Sequence, residues 1–244
     1  MIYNCTIIPR MKKKAKPSIS IAIPAFNEEE NISLVLKDTL KKLPKYFKDY
    51  EVIVVNDGST DKTGKISDQF AKRNPHVKVI HQKNGGYSMA MLAGIKAAKK
   101  EFVAYMPADG QFLVDDMRHC FEVLNDSDLV LGYRGGRQDY ATRRIIFSYG
   151  YLLLLLFLFD IRYMDVGWVN IWRTKKVQKT KLTAIGGIFI LTEILVRFKN
   201  KGYTITEAPS YYHPRLGGEV KNAKLKVVTK TFMNAAKLWL EMKS

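Results

Sequence analysis

Short runs of Val, Ile and Ala with little polar alternation recur through the first half of the chain. Each is followed by a stretch in which apolar residues return every three or four positions. Unalternating runs mark strands buried on both faces, as in parallel sheets, and the longer spacing marks helices. The pattern predicts strands at 19–23, 51–56, 77–81, 102–106 and 128–131. It predicts helices at about 28–43, 61–73, 88–100 and 114–124. Asn27 ahead of three glutamates, and Ser59 and Thr60 ahead of Asp61, read as helix starts. This half has the layout of a nucleotide-binding α/β layer.

The second half is less regular. Arg134-Gly135-Gly136-Arg137 reads as a loop, 141–159 as a helix, 169–172 as a strand, 189–199 as a helix and 203–208 as a strand. A Pro/Gly-rich loop spans 209–218. The tail, 223–243, places Leu225, Val228, Phe232, Ala235, Trp239 and Met242 on one stripe, with Lys221, Lys224, Lys226, Lys230 and Lys237 around it. That is a basic amphipathic helix, which either lies on a membrane surface or docks on its own core. The expected organisation is a basic extension at 1–17, one α/β domain at 18–220 and the amphipathic helix at 221–244.

Charge adds an anionic partner. The chain has 40 Lys and Arg against 23 Asp and Glu, a net charge of +17. Nucleic acid, an acidic membrane or a phosphorylated substrate would answer it, as would a Lys-rich proteome. Cys5 and Cys120 have no metal or redox spacing, and the four His form no ligand pattern, so a reducing, cytosolic compartment fits. The longest apolar run, 149–161, is shorter than the roughly 20 residues of a membrane span. The N-terminus carries Arg10, Lys12, Lys13, Lys14 and Lys16 but no apolar run or cleavage site of a signal peptide.

Chemistry concentrates where strands end. The first strand runs into Pro24-Ala25-Phe26-Asn27-Glu28-Glu29-Glu30. The second runs into Asn56-Asp57-Gly58-Ser59-Thr60-Asp61, and a later one into Met106-Pro107-Ala108-Asp109-Gly110-Gln111. Ligands of open α/β sheets bind at this carboxyl rim. Together these blocks resemble the nucleotide-sugar half of a family 2 glycosyltransferase. Within that family they are similar to dolichol-phosphate mannose synthases and related polyprenyl-phosphate enzymes. The resemblance runs from 18 to about 221 and implies a GT-A fold, a single Rossmann-like α/β/α sandwich. No G-x-G-x-x-G follows a strand, which disfavours a dinucleotide dehydrogenase.

The resemblance implies that Pro24, Ala25, Glu28, Asp57 and Asp109 contact the nucleotide sugar. Asp109 and Gln111 would hold Mg²⁺ or Mn²⁺, hard cations that take oxygen ligands, and lie two apart on an extended segment. The family pattern is Asp-X-Asp, and here its first position is Pro107. A weaker cation site, a different donor sugar and a catalytically silent homologue all fit that change. Asn84-Gly85-Gly86-Tyr87-Ser88 also departs from relatives that carry Arg or Lys in this loop.

Further on, Gly132-Tyr133-Arg134 resembles a Gly-Ser-Arg block, and Arg144 and Ser148 match the residues that grip a lipid phosphate. Four apart, these two share a helical face. Asp165, Glu193 and Asp160 are the candidate bases. Glu193 matches an acidic position near the acceptor and also stands four before Arg197, where it would make a helix-surface pair. Arg215, in Arg215-Leu216-Gly217-Gly218-Glu219, would reach the donor diphosphate, with Lys221 behind it.

The implied activity is inverting transfer of a sugar from a UDP- or GDP-sugar to a polyprenyl phosphate, with Asp109, Arg215 and Glu193 as the catalytic set. The protein would work peripherally at the cytoplasmic face of a membrane, through the tail and the 151–159 segment. A glycan or glycolipid hydroxyl acceptor is the alternative within the family. A silent nucleotide-sugar binder and a nucleic-acid binder are the alternatives outside it, the latter without a recognition motif.

Overall fold

The structure is a computed structural model that describes residues 16–134, 142–183, 189–213 and 225–243. In chain order its elements are β1 (Ile19–Ala25), α1 (Ile32–Tyr46), β2 (Tyr50–Asp57), α2 (Thr63–Arg73), β3 (Val77–Gln82), α3 (Tyr87–Ala97) and β4 (Phe102–Tyr105). They continue with α4 (Arg118–Glu122), β5 (Leu129–Arg134), α5 (Thr142–Phe159), β6 (Val169–Arg173), α6 (Thr174–Gln178), α7 (Phe189–Asn200), β7 (Ile205–Ser210) and α8 (Leu225–Lys243).

The seven strands form one sheet in the order β3-β2-β1-β4-β6-β5-β7. All pairings are parallel except those of β6, which runs antiparallel to both β4 and β5. Direction here decides function. The carboxyl ends of six strands share one rim, and the segment leading into β6 arrives at that same rim.

The continuous apolar strands are buried as their composition requires: all eight residues of β2 and all four of β4 are out of solvent. Each Val or Ile so buried contributes roughly 1.5–3 kcal/mol. α1 lays Ile32, Val35, Leu36 and Leu43 on the core. Gly132 in β5 is required by close packing, because a Cβ there would stand 2.6 Å from the Cβ of Val169 and 3.1 Å from the Sγ of Cys120.

Several expected boundaries move, for local reasons. α1 begins at Ile32 rather than near 28, because Asn27 has φ +53° and the Glu28 amide donates to the Thr63 hydroxyl, 2.8 Å. Asn27 does not cap its own helix: its side-chain oxygen accepts the Thr60 amide, 2.9 Å, and Asp61 caps α2 through the Thr63 amide. The helix expected at 114–124 is a turn of 3-10 helix (Val114–Met117), α4 and a second short 3-10 turn (Leu124–Asp126). α6 was not expected.

The tail helix exists, but its predicted stripe is rotated. Thr231, Ala235 and Leu238 face inward, whereas Phe232 is partly exposed. The side chains of Leu225 and Val228, the 1–15 part of the basic extension, and Lys221 and Lys224 lie outside the described residues.

One charge is fixed inside the sheet. Glu51, at the start of β2, accepts Nζ of Lys78 at 2.7 Å, the Lys99 amide at 2.7 Å and the Ser20 hydroxyl at 2.8 Å. Burial by itself would raise its pKa, but these three donors outweigh it and hold the carboxyl below its ordinary 4.5. The stability it contributes is therefore present above pH 4.5 and lost as pH falls through the folded pKa. Thermal midpoints followed downward from pH 6 should show an acid limb that Glu51→Gln flattens. An unchanged limb in that variant would assign the acid sensitivity elsewhere.

Candidate active site

One side of the rim is built by strand tips that hold one another. The Asn27 amide donates to the Ser59 hydroxyl at 3.1 Å, the Glu29 amide to Asp61, and the Lys62 amide back to Glu29. These bonds lock the loop after β1 to the loop after β2 and fix Pro24, Ala25 and Glu28 beside Asp57. The Glu28 carboxylate accepts Nδ2 of Asn31 at 2.9 Å. Gly58 permits the approach of the next loop: its φ is +71°, and a Cβ there would lie 2.7 Å from the Asn84 amide nitrogen.

Asp57 is buried and organises that next loop. One oxygen accepts Nε2 of Gln82 at 2.7 Å and the Gly85 amide at 2.9 Å, and the other accepts the Gly86 amide at 2.9 Å. A carboxylate has about four acceptor positions. Three serve the protein, so Asp57 sets the start of α3.

Beyond β4, the chain turns rather than extends. Gly110 has φ +71°, and the Gln111 amide donates to Oδ1 of Asp109 at 3.1 Å. The same-side geometry expected of an extended Asp109-Gly110-Gln111 is replaced by a turn that puts Gln111 against Tyr212, with Nε2 3.4 Å from the Tyr212 hydroxyl. The His213 amide donates to the Gln111 carbonyl at 2.9 Å, which ties this turn to the segment after β7.

Among the described residues, no three His, Cys, Asp or Glu side chains cluster as a metal centre. Asp109 and Gln111 do supply two hard oxygen donors in one turn. Mg²⁺ is commonly held by one or two carboxylates together with substrate phosphates and several waters, and the pair fits that role.

A chain of aromatic rings runs from the start of α3 to the segment after β7. Tyr87 meets Tyr105 edge-on at 5.4 Å, Tyr105 meets Phe112 at 6.5 Å, Phe112 meets Trp168 at 4.7 Å, and Trp168 meets Tyr212 at 5.3 Å. Burial, with the Asp109 charge adding to it, pushes the Tyr87 hydroxyl pKa upward. Tyr105 and Phe112 escaped the motif reading, although Tyr105 is the last residue of β4.

The far side of the rim depends on the reversed strand. Asp165 and Trp168 lead into β6 and so meet Arg134 at the end of β5. Asp165 accepts Nε of Arg134 at 2.7 Å and Nη2 at 3.1 Å, and the guanidinium lies 4.5 Å from the Trp168 ring centre. Both partners are largely buried, with side-chain exposures of 9% and 5%. The ion pair and the ring hold the arginine in one orientation.

The remaining residues divide. Ser148 lies on α5, partly buried. Arg144 also belongs to α5, but its side chain lies outside the described residues, as does the whole of Arg215. Glu193 is not a surface charge. It is fully buried on α7, accepting the Thr183 amide at 2.7 Å and Nε of Arg197 at 2.8 Å. Arg197 continues to Glu241 on α8 at 3.0 Å, so this carboxylate fastens two helices together. Asp160 has φ +50° and pairs with Arg162 and Lys199.

A sequence profile described as Glycosyl transferase family 2 matches residues 20–180. The chain belongs to glycosyltransferase family 2. The sandwich with its mostly parallel sheet is the GT-A arrangement.

Among curated relatives of this family 2 chain, an undecaprenyl-phosphate 4-deoxy-4-formamido-L-arabinose transferase of Pseudomonas fluorescens is 34% identical over 129 residues. The match covers 52% of this chain and 38% of the relative. A dolichyl-phosphate beta-glucosyltransferase of Trichomonas vaginalis is 35% identical over 122 residues, covering 48% and 36%. The matched stretch thus spans well under half the length of these relatives. Among solved structures, glucosyl-3-phosphoglycerate synthase of Mycobacterium tuberculosis, in complex with Mn²⁺, UDP and phosphoglyceric acid, superposes with a TM-score of 0.68. It is 15% identical, and the match covers 92% of this chain and 79% of that one.

Proposed function

We propose that this chain is an inverting glycosyltransferase that moves a sugar from a nucleoside diphosphate sugar to a polyprenyl phosphate at the cytoplasmic face of a membrane. The observation that carries the reading is the shared rim: Asp57 and Asp109 stand on its donor side, and Arg134, oriented by Asp165, stands beyond them. The names of the undecaprenyl- and dolichyl-phosphate relatives support the acceptor class.

Asp57 and the paired loops after β1 and β2 would seat the nucleotide. Asp109 and Gln111 would hold a divalent cation together with the diphosphate. When bound, that cation supplies charge to the departing diphosphate. Arg215 would add a guanidinium on the same group, and Arg144 and Ser148 would join Arg134 on the acceptor phosphate.

A phosphate monoester is already ionised at neutral pH, so its attack on the anomeric carbon needs no strong base. The three candidate bases are each engaged elsewhere: Asp165 pairs with Arg134, Glu193 with Arg197 and Asp160 with Lys199.

The test is release of nucleoside diphosphate from a panel of UDP- and GDP-sugars with Mn²⁺ or Mg²⁺, with and without a short polyprenyl phosphate. Release that requires both the lipid phosphate and one donor is expected. Release supported by a sugar hydroxyl but not by lipid phosphate would replace the acceptor class.

A further inference from the structure

The stretch 160–168, between α5 and β6, belongs to no helix or strand, so it has no ladder to satisfy its amides. Two buried side chains, Ile161 and Val166, fix it to the core. Between them the Met164 side chain is exposed, and its backbone amide needs an acceptor. Glu207, on β7, supplies one. Its Oε1 accepts the Met164 amide at 2.6 Å, and the Asp165 amide is a second donor to the same carboxylate. Asp165 is thus held twice. Glu207 holds its backbone, while its carboxylate accepts Nε and Nη2 of Arg134 and the Gly167 amide, the last at 3.3 Å.

The sheet explains why β7 can do this. β7 pairs in parallel with β5, and Glu207 stands opposite Leu131, three residues before Arg134. The edge strand therefore flanks the strand that carries Arg134 and reaches across to the segment that carries Asp165. A carboxylate is a costly group to put there. Burial, the largest influence, pushes its pKa above the ordinary 4.5, the nearby Asp165 charge adds to that, and the two amides oppose it. No Lys, Arg or His among the described residues pairs with it. What the carboxylate adds is two oxygens and strength, since an ionised acceptor holds an amide about twice as firmly as a neutral one. That firmness falls on the one backbone position that sets the partner of Arg134.

We infer that Glu207 is a positioning residue for the acceptor site. Its hold on Met164 and Asp165 keeps the Arg134 guanidinium in the orientation that meets the acceptor phosphate. The inference rests on the lipid-phosphate reading for its consequence, but its first readout needs neither donor nor acceptor.

That readout is the Arg134 Nε–H signal in nitrogen-resolved proton NMR of the full chain, identified by its loss in Arg134→Lys. Largely buried and bonded to Asp165 at 2.7 Å, this proton should exchange slowly with water in the parent. Glu207→Ala should speed its exchange about tenfold or more. Glu207→Gln keeps the length and one acceptor oxygen, so it should speed exchange less and leave the thermal midpoint within about 3 °C of the parent. The second readout is kinetic, with farnesyl phosphate as acceptor. Both variants should raise its KM, the alanine about tenfold, and leave the KM of the donor within about twofold. A brace of the fold alone would instead lower the midpoint and move both constants together. Unchanged Nε–H exchange in both variants, or equal loss of donor and acceptor affinity, would overturn the inference. If exchange responds while farnesyl phosphate supports no diphosphate release, the acceptor reading fails and the hold of Glu207 on Arg134 stands.

Discussion

Asp109→Asn is expected to lower sugar transfer about a hundred- to a thousandfold with little change in thermal midpoint. The asymmetry follows from the turn in which Asp109 sits. Its structural duty is to accept the Gln111 amide at 3.1 Å, and an Asn side-chain oxygen accepts the same bond. Its chemical duty is negative charge, which Asn cannot supply. Because Pro107 brings no ligand, no neighbouring carboxylate of the motif takes over that duty. Calorimetric titration of the nucleoside diphosphate separates the two duties. The part of the affinity that depends on Mn²⁺ should vanish in the variant, and the part that remains in chelator should persist. Full transfer by Asp109→Asn would remove Asp109 from the chemistry. Undiminished Mn²⁺ dependence would place the cation elsewhere.

Glu193→Ala is expected to act in the opposite sense, on the fold before the chemistry. The carboxylate is fully buried and shared by Thr183 and Arg197, and Arg197 links it to Glu241 on α8. Removing it leaves the Thr183 amide without its acceptor and Arg197 with Glu241 as its remaining partner, at a cost of about 3 kcal/mol. For a chain of this size the thermal midpoint should fall on the order of 10 °C. Glu193→Gln keeps the Thr183 bond and should fall less. Its transfer rate decides the acceptor: a rate close to the parent's agrees with a phosphate nucleophile, and abolished transfer in a folded protein would make Glu193 the base of a hydroxyl acceptor. A midpoint shift under about 2 °C for the alanine variant would show that the pair contributes little.

The donor half was legible because its information is local. Val- and Ile-rich runs announce strands buried on both faces, and Asp57 and Asp109 stand where those strands must end. Register between loops is not local. Asn27 resembled a helix cap in sequence, yet it bonds to Thr60 across the rim because its own backbone turns left-handed. Strand direction was equally hidden. Val169 to Trp172 reads as a strand in either direction, and only the sheet reveals that β6 runs backwards and delivers Asp165 to Arg134. Glu193 lost its surface position for a related reason. An i, i+4 pair with Arg197 looks the same on paper whether it faces water or a second helix. The tail shows how neighbouring faces compete, since Phe232, Ala235 and Trp239 suggested one stripe while Thr231, Ala235 and Leu238 are the residues buried.

The backward strand has one more consequence, for how such a protein can change over time. Among the described strands, β6 alone joins β4, whose end leads to Asp109, to β5, which carries Arg134. Its registers with β4 and β5 are set by backbone, not by the loops at either end. On the proposed reading, substitutions and insertions at 160–168 or after β5 would recast what is glycosylated while Asp57 and Asp109 keep their hold on the activated sugar. The fold would then carry a seam along which a lineage exchanges acceptors without relearning its donor.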